Sequence, residues 1–133
     1  MSGPLAGVRV IDLTTVVMGP FATQILADLG ADVVKVEAPE GDVLRHIAPM
    51  RNPAMGHIFL HHNRNKRSIV LDLKQAAGRD ALLRLAGRGD VLVYNVRPQA
   101  MRRLRLGYED VAAVNPRIIY VGAYGYGESG RYA

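Results

Sequence analysis

Five short runs rich in β-branched and aliphatic residues, each parted from the next by a helical pattern, constrain this chain most. They are Val8–Leu13, Val33–Val36, Ser68–Leu73, Val91–Tyr94 and Arg117–Val121. Runs this apolar do not suit a sheet with one wet face, so they predict a buried, mostly parallel sheet. Helical patterns lie between them. Pro20 suits a first helical position, Phe21, Ile25, Leu26 and Leu29 fall on one face, and Gly30 stops the helix. A second helix is expected from Gln75 to Ala86, with Ala81, Leu82 and Leu85 inward, Asp80 and Arg84 spaced for an i,i+4 pair, and Gly87 at its end. Pro98 opens a third helix through Met101 and Leu104, and a fourth near residues 108–114 stops before Pro116. Strand, helix, strand repeated in this way predicts an α/β fold, a Rossmann-like layer of mostly parallel strands with flanking helices. With 133 residues, residues 1–133 are read as one unit.

One segment breaks the rhythm. Ala38–Asn65 holds three prolines and little strand pattern, although Gly56–His62 suits a helical turn or two. A connection of that length is often functional. The absence of Cys excludes a disulfide scaffold, a thiolate zinc site and a cysteine nucleophile. The start shows no basic region leading into an apolar one, and the uncharged run between Asp12 and Asp28 is too short for a membrane span and is broken by Gly19-Pro20. A cytoplasmic protein without membrane contact is expected.

Charge is unevenly spread. Through Asp42, six acids face only Arg9 and Lys35, whereas the rest carries 15 basic residues against six acids. The basic portion suits an anionic partner such as a phosphate ester, or a solvated surface. Familiar nucleotide motifs fail. The turn Thr14–Pro20 holds one glycine rather than a spaced set, and neither a P-loop nor a Gly-x-Ser-x-Gly elbow occurs. His57, His61 and His62 have metal-like spacing but lack the glutamate of a His-Glu-x-x-His site, so no metal is expected. Arg64 with Asn65-Lys66-Arg67 forms one basic knot, which suits phosphate contact, a cap on the sheet or simple solvation. Arg97, Arg102, Arg103 and Arg105 form another. Aromatics do not interleave with these residues, which argues against nucleic acid and favours a discrete phosphate ester.

Three ordered blocks then carry a resemblance. Leu5–Thr14, Gly19-Pro20, Leu29–Glu37, Gly41-Asp42 and Arg45 make the first; Asn63–Lys74 is the second. The third is Asp90–Pro98 with Arg103-Leu104, Gly107-Tyr108 and Asn115–Tyr120. Together they resemble the class III coenzyme A transferases, the CaiB/BaiF family, which includes formyl-CoA transferase and the 2-methylacyl-CoA racemases. The resemblance implies that this chain is the CoA-binding part of a larger Rossmann-like domain. That domain belongs to a subunit that interlocks with a second copy as a homodimer. It implies Val16 and Val17 beside the thiol end of coenzyme A, and Leu71 and Lys74 at the nucleotide end. Asn95, Val96 and Arg97 would line the next turn, and Arg103 would pair with a phosphate. Arg and Lys suit phosphate oxygens, and the valines suit either the pantetheine arm or plain core packing.

Departures from the pattern are Ala38, where some members carry an adenine-stacking arginine, Gln99 after Arg-Pro, and Arg105 after Arg-Leu. Family transferases use an aspartate nucleophile after the glycine-rich loop, passing through an aspartyl-CoA thioester to an acceptor acid. Here no acid follows Glu128, so that aspartate is expected beyond Ala133, in a longer protein, and this stretch alone is expected to be inactive. The expected reactants are an acyl-CoA and a carboxylic acid. Alternatives are a racemase using a His and Asp pair at the α-carbon, a non-catalytic CoA or nucleotide module, and, least favoured, an RNA-binding domain using Arg64–Arg67.

Overall fold

The computed structural model describes residues 2–127 and 129–131. Its five strands, β1 (Arg9–Leu13), β2 (Asp32–Glu37), β3 (Lys66–Val70), β4 (Val91–Tyr94) and β5 (Ile119–Gly122), form one all-parallel sheet in the order β3-β2-β1-β4-β5. Helix α1 (Met18–Asp28) follows β1, and α2 (His57–His62) lies within the long connection after β2. Helix α3 (Ala76–Ala86) joins β3 to β4, and α4 (Pro98–Arg103) and α5 (Tyr108–Val114) precede β5. The Rossmann-like expectation holds. Only β3 shifts appreciably: it begins at Lys66 because its first residues pair with Val33 and Val34, and it ends at Val70.

Side chains alternate along each strand, so the sheet has two packed faces. Ile11, Leu13, Leu92 and Tyr94 meet Leu82 and Ala86 of α3, Met101 of α4 and Val111 of α5. On the other face Val10, Val33 and Val93 meet Ala27 of α1 and Ala31. Each buried aliphatic side chain contributes about 1.5–3 kcal/mol of transfer free energy. The outer strands are barer than the sequence suggests: β3 is largely exposed from Arg67 onward, and Ile119 of β5 is 60% exposed.

Two helical expectations need correction. Most of the apolar stripe of α1 does not face the sheet: Phe21, Ile25 and Leu29 are each more than 40% exposed, only Leu26 of the four packs on the core, and Gly19, Pro20, Thr23, Gln24 and Ala27 are buried. The reason lies beneath. The end of the sheet nearest this helix presents Asp12 and Lys66, and these take Thr23 Oγ1 and the Pro20 carbonyl as partners. Asp80 and Arg84 are both exposed on α3 and do not pair. Leu82 is buried as expected, with Ala81 and Leu85 half-buried. Among the described residues no helix is long and apolar enough to cross a membrane.

Candidate functional site

All five strands run the same way, so the turns after them gather along one edge of the sheet. The strand order reverses between β1 and β4, and open α/β sheets place their ligand crevice at such a point. Asn95, just beyond β4, closes this seam. Its Oδ1 accepts from the Thr15 amide (3.0 Å), and its Nδ2 donates to the Thr15 carbonyl (2.9 Å).

A cavity of about 270 Å³ opens along this edge. Leu13, Leu71, Leu73, Val96, Met101 and Leu104 give it an apolar wall, and Ala38, Pro39 and Glu40 form the rim beyond β2. Lys74 stands over it. Asp72 Oδ1 accepts from the Lys74 amide (2.9 Å) and shapes the turn, while the ammonium group has no partner among the described residues. A second, more polar hollow of about 680 Å³ lies across α4, lined by Asn95, Arg97, Gln99, Arg102 and the start of the glycine-rich stretch. Tyr94 and Tyr120 meet at a tilt, with ring centroids 4.8 Å apart, in the neighbouring hollow that Arg102 also lines, and burial pushes the Tyr120 phenol up.

The expected residues therefore divide into three sets. Leu71, Lys74 and Val96 meet in the first cavity, and Asn95 and Arg97 line the second. Val16, Val17 and Arg103 line neither; Val16 and Val17 are 44% and 41% exposed on the turn into α1, and Arg103 is exposed at the end of α4. Sequence reasoning missed Met101, whereas Arg102 of the second basic knot does line the polar hollow; the two are adjacent on α4 yet face different hollows, and helical phase was the available signal. Glu128 lies outside the described residues.

The first basic knot is structural. Arg64 and Asn65 bind Asp28, Arg67 binds both oxygens of Asp32, and Lys66 is buried against Asp12 at 2.9 Å. Of the three alternatives, a cap on the sheet describes Lys66, while the Arg64 and Arg67 side chains stay solvated beside their acids. The histidines differ too. His57 Nδ1 lies 3.2 Å from the Pro49 carbonyl and His62 Nδ1 2.9 Å from that of Ile58, so both ring positions donate to backbone.

The segment after β2 is held by Glu37. Its carboxylate takes Arg45 through both oxygens (2.6 and 2.7 Å), Ser68 Oγ (2.5 Å) and the Asp42 amide (3.1 Å). The Arg45 guanidinium also sits 3.8 Å from the Phe59 ring centroid. Burial pushes the Glu37 carboxyl up, but the hydrogen bonds from Arg45, Ser68 and the Asp42 amide outweigh it and bring it down to about 2. Because this lies below the ordinary value of 4.5, ionised Glu37 favours the folded state. Its contribution is whole above pH 4.5 and is lost as pH falls towards 2. Glu37→Gln should lower stability at neutral pH and flatten the acid limb between those values, as read by urea unfolding at stepped pH. An unchanged acid limb would reject the assignment.

Fold and edge together define an open, doubly wound α/β unit with an apolar, cation-rimmed crevice at its strand C-termini. The comparisons make this specific. The chain belongs to CoA-transferase family III, whose model matches residues 5–133. It is 47% identical to an acyl-CoA transferase of Fusarium pseudograminearum, over 98% of this chain and 30% of that protein. It is 45% identical to the acetyl-CoA:oxalate CoA-transferase of Acetobacter aceti, over 98% of this chain and 34% of that one. The crystal structure of a CAIB/BAIF family protein from Brucella suis superposes with a TM-score of 0.94 at 38% identity, over 99% of this chain and 36% of that one. The chain thus spans about a third of the length of the relatives it matches.

Proposed function

We propose that this chain supplies the coenzyme A-binding part of a transferase that moves CoA between an acyl-CoA donor and a carboxylic acid. One observation carries the reading: Leu71, Val96 and the unpaired Lys74, which the resemblance assigns to CoA, line a single cavity beside the β1–β4 seam. Its apolar wall suits the adenine and pantetheine carbons, and its rim offers a cation for a phosphate oxygen. Asn95 and Arg97 extend the path across α4, Arg103 adds positive charge near the helix end, and exposed Val16 and Val17 would meet the thiol end.

In the transfer, a carboxylate nucleophile attacks the thioester carbonyl and expels CoA thiolate, leaving a mixed anhydride. The thiolate then attacks the enzyme's own acyl carbon, releasing the donor acid and forming an enzyme thioester. The acceptor carboxylate attacks that thioester and again expels thiolate, which takes the acceptor's acyl group and restores the enzyme carboxylate. The residues of this chain are assigned binding and orientation in that sequence, and no bond-making step.

Isothermal calorimetry with coenzyme A tests the site. Lys74→Ala and Arg103→Ala should each weaken affinity about tenfold, the scale of one hydrogen bond to a charged group. No measurable binding by the unsubstituted chain would overturn the reading. Unchanged affinity in either variant would remove that residue from the site.

A further inference from the structure

The turn between β1 and α1 contains an unusual backbone residue. Val16 has φ of 70°, the left-handed region, where a β-branched side chain is strained. Such a conformation persists only where its surroundings impose it. Here they do so from below. The Val16 amide donates to Asp42 Oδ2 at 3.3 Å, and Lys35 Nζ donates to that same oxygen at 3.2 Å and to the Thr14 carbonyl at 2.7 Å. The Asp42 and Lys35 side chains are 0% and 1% exposed. The other Asp42 oxygen accepts from the Leu44 amide, and the Asp42 amide donates to Glu37. One buried carboxylate therefore joins the turn after β1 to the segment after β2.

A buried ion pair is weak evidence of stabilisation, since apolar residues of similar volume often serve as well. What this pair does supply is direction. Lys35 balances the charge of Asp42 without using the oxygen's remaining capacity, and the Val16 amide takes it. Above the clasp, the side chains of Val16, Val17 and Met18 are exposed.

We propose that Asp42, charge-balanced by Lys35, is a positioning residue that holds Val16 in its left-handed conformation and so pre-forms the wall of the 15–18 turn against which the acyl end of a bound thioester rests. This rests on the CoA-binding reading above, and it adds that specificity for the acyl end is set from a buried carboxylate that touches no ligand. Pre-forming the turn removes an ordering cost from binding. The benefit falls chiefly on the acyl end, because Thr15 alone of this turn lines the cavity beneath Lys74, whose other walls come from β1, β2 and the segments that follow β2, β3 and β4.

The test compares two ligands, acetyl-CoA and adenosine 3′,5′-bisphosphate, the latter carrying only the nucleotide end. In Asp42→Asn the amide NH2 replaces one acceptor oxygen and opposes either the Val16 amide or the Leu44 amide. The factor by which acetyl-CoA binds more tightly than the bisphosphate should fall about tenfold, while bisphosphate affinity stays within twofold. Loss of both affinities together would mark a merely structural role and overturn the proposal, as would an unchanged ratio. Should the variant fail to fold, hydrogen exchange on the unsubstituted chain decides. The Val16 amide should exchange at least a hundredfold more slowly than an unstructured amide before any ligand is added, and exchange at the unstructured rate would overturn the proposal. If neither ligand binds the unsubstituted chain while Val16 is protected, it is the CoA reading that fails and the clasp that stands.

Discussion

Replacing Lys66 by methionine should cost about 3–5 kcal/mol of folding free energy, the loss typical when one partner of a buried ion pair is removed. The ammonium group is almost wholly enclosed and contacts Asp12 Oδ2 (2.9 Å), the Pro20 carbonyl (2.8 Å), Thr23 Oγ1 (2.8 Å) and Asn63 Oδ1 (2.9 Å). Burial pulls its pKa down, and the adjacent Asp12 charge opposes that pull. Methionine matches the stem but leaves the Asp12 carboxylate uncompensated. The melting temperature should fall by roughly ten degrees or more for a domain of this size. Adding Asp12→Asn should recover part of the loss, because the carboxylate left without its Lys66 partner is then neutral. Thermal denaturation of the two singles and the double gives the coupling. A Lys66→Met variant that melts like the unsubstituted chain would show that the pair is dispensable.

The second large effect is expected at Gly19. This residue lies in the first turn of α1, where the helix lands on Thr14, and an added Cβ would overlap the Thr14 Cβ and Cγ2 and stand 2.8 Å from its Oγ1. Thr14 has no room to yield. Its amide and hydroxyl both donate to Asp12 Oδ1, at 2.9 and 2.5 Å, and its carbonyl accepts from Lys35. Gly19→Ala must therefore lift the start of α1 off the sheet, an overpacking cost of about 1–3 kcal/mol. Because the 15–18 turn moves with it, coenzyme A affinity should drop more than the stability loss alone would explain. Circular dichroism melting and calorimetry on the same sample check both. Unaltered values for both would mean that the helix start tolerates a methyl group.

Local pattern and tertiary placement explain what was legible in the sequence. Runs such as Val91–Tyr94 are short and continuously apolar, and they became central, doubly covered strands. The family blocks placed Leu71, Lys74 and Val96 on adjoining turns, which a parallel sheet brings to one edge. Polar residues inside the strands misled. Lys35, Glu37 and Asp12 look like solvent-facing alternation, yet each is buried because its partner comes from outside its own strand: Asp42 and Arg45 from the segment just after β2, and Lys66 from β3. The same charges turned α1 around, since a helix packed on Asp12 and Lys66 must offer hydroxyl and carbonyl groups rather than Phe21 and Ile25. The contact from Val16 to Asp42 spans 26 residues and depends on a backbone twist that no composition signals.

Strand order has a consequence for how the chain comes into being. Of these five strands the first to be synthesised is the central one, and its neighbour on one side is β4, whose pairing joins Val10 to Val91 and Leu13 to Tyr94. Until some eighty further residues have been synthesised, β1 can be zipped on its β2 side alone, with a bare ladder on the other. Closing so distant a pair is slow on entropic grounds, so the nascent half-sheet is the state most open to wrong partners and most in need of a chaperone's shelter.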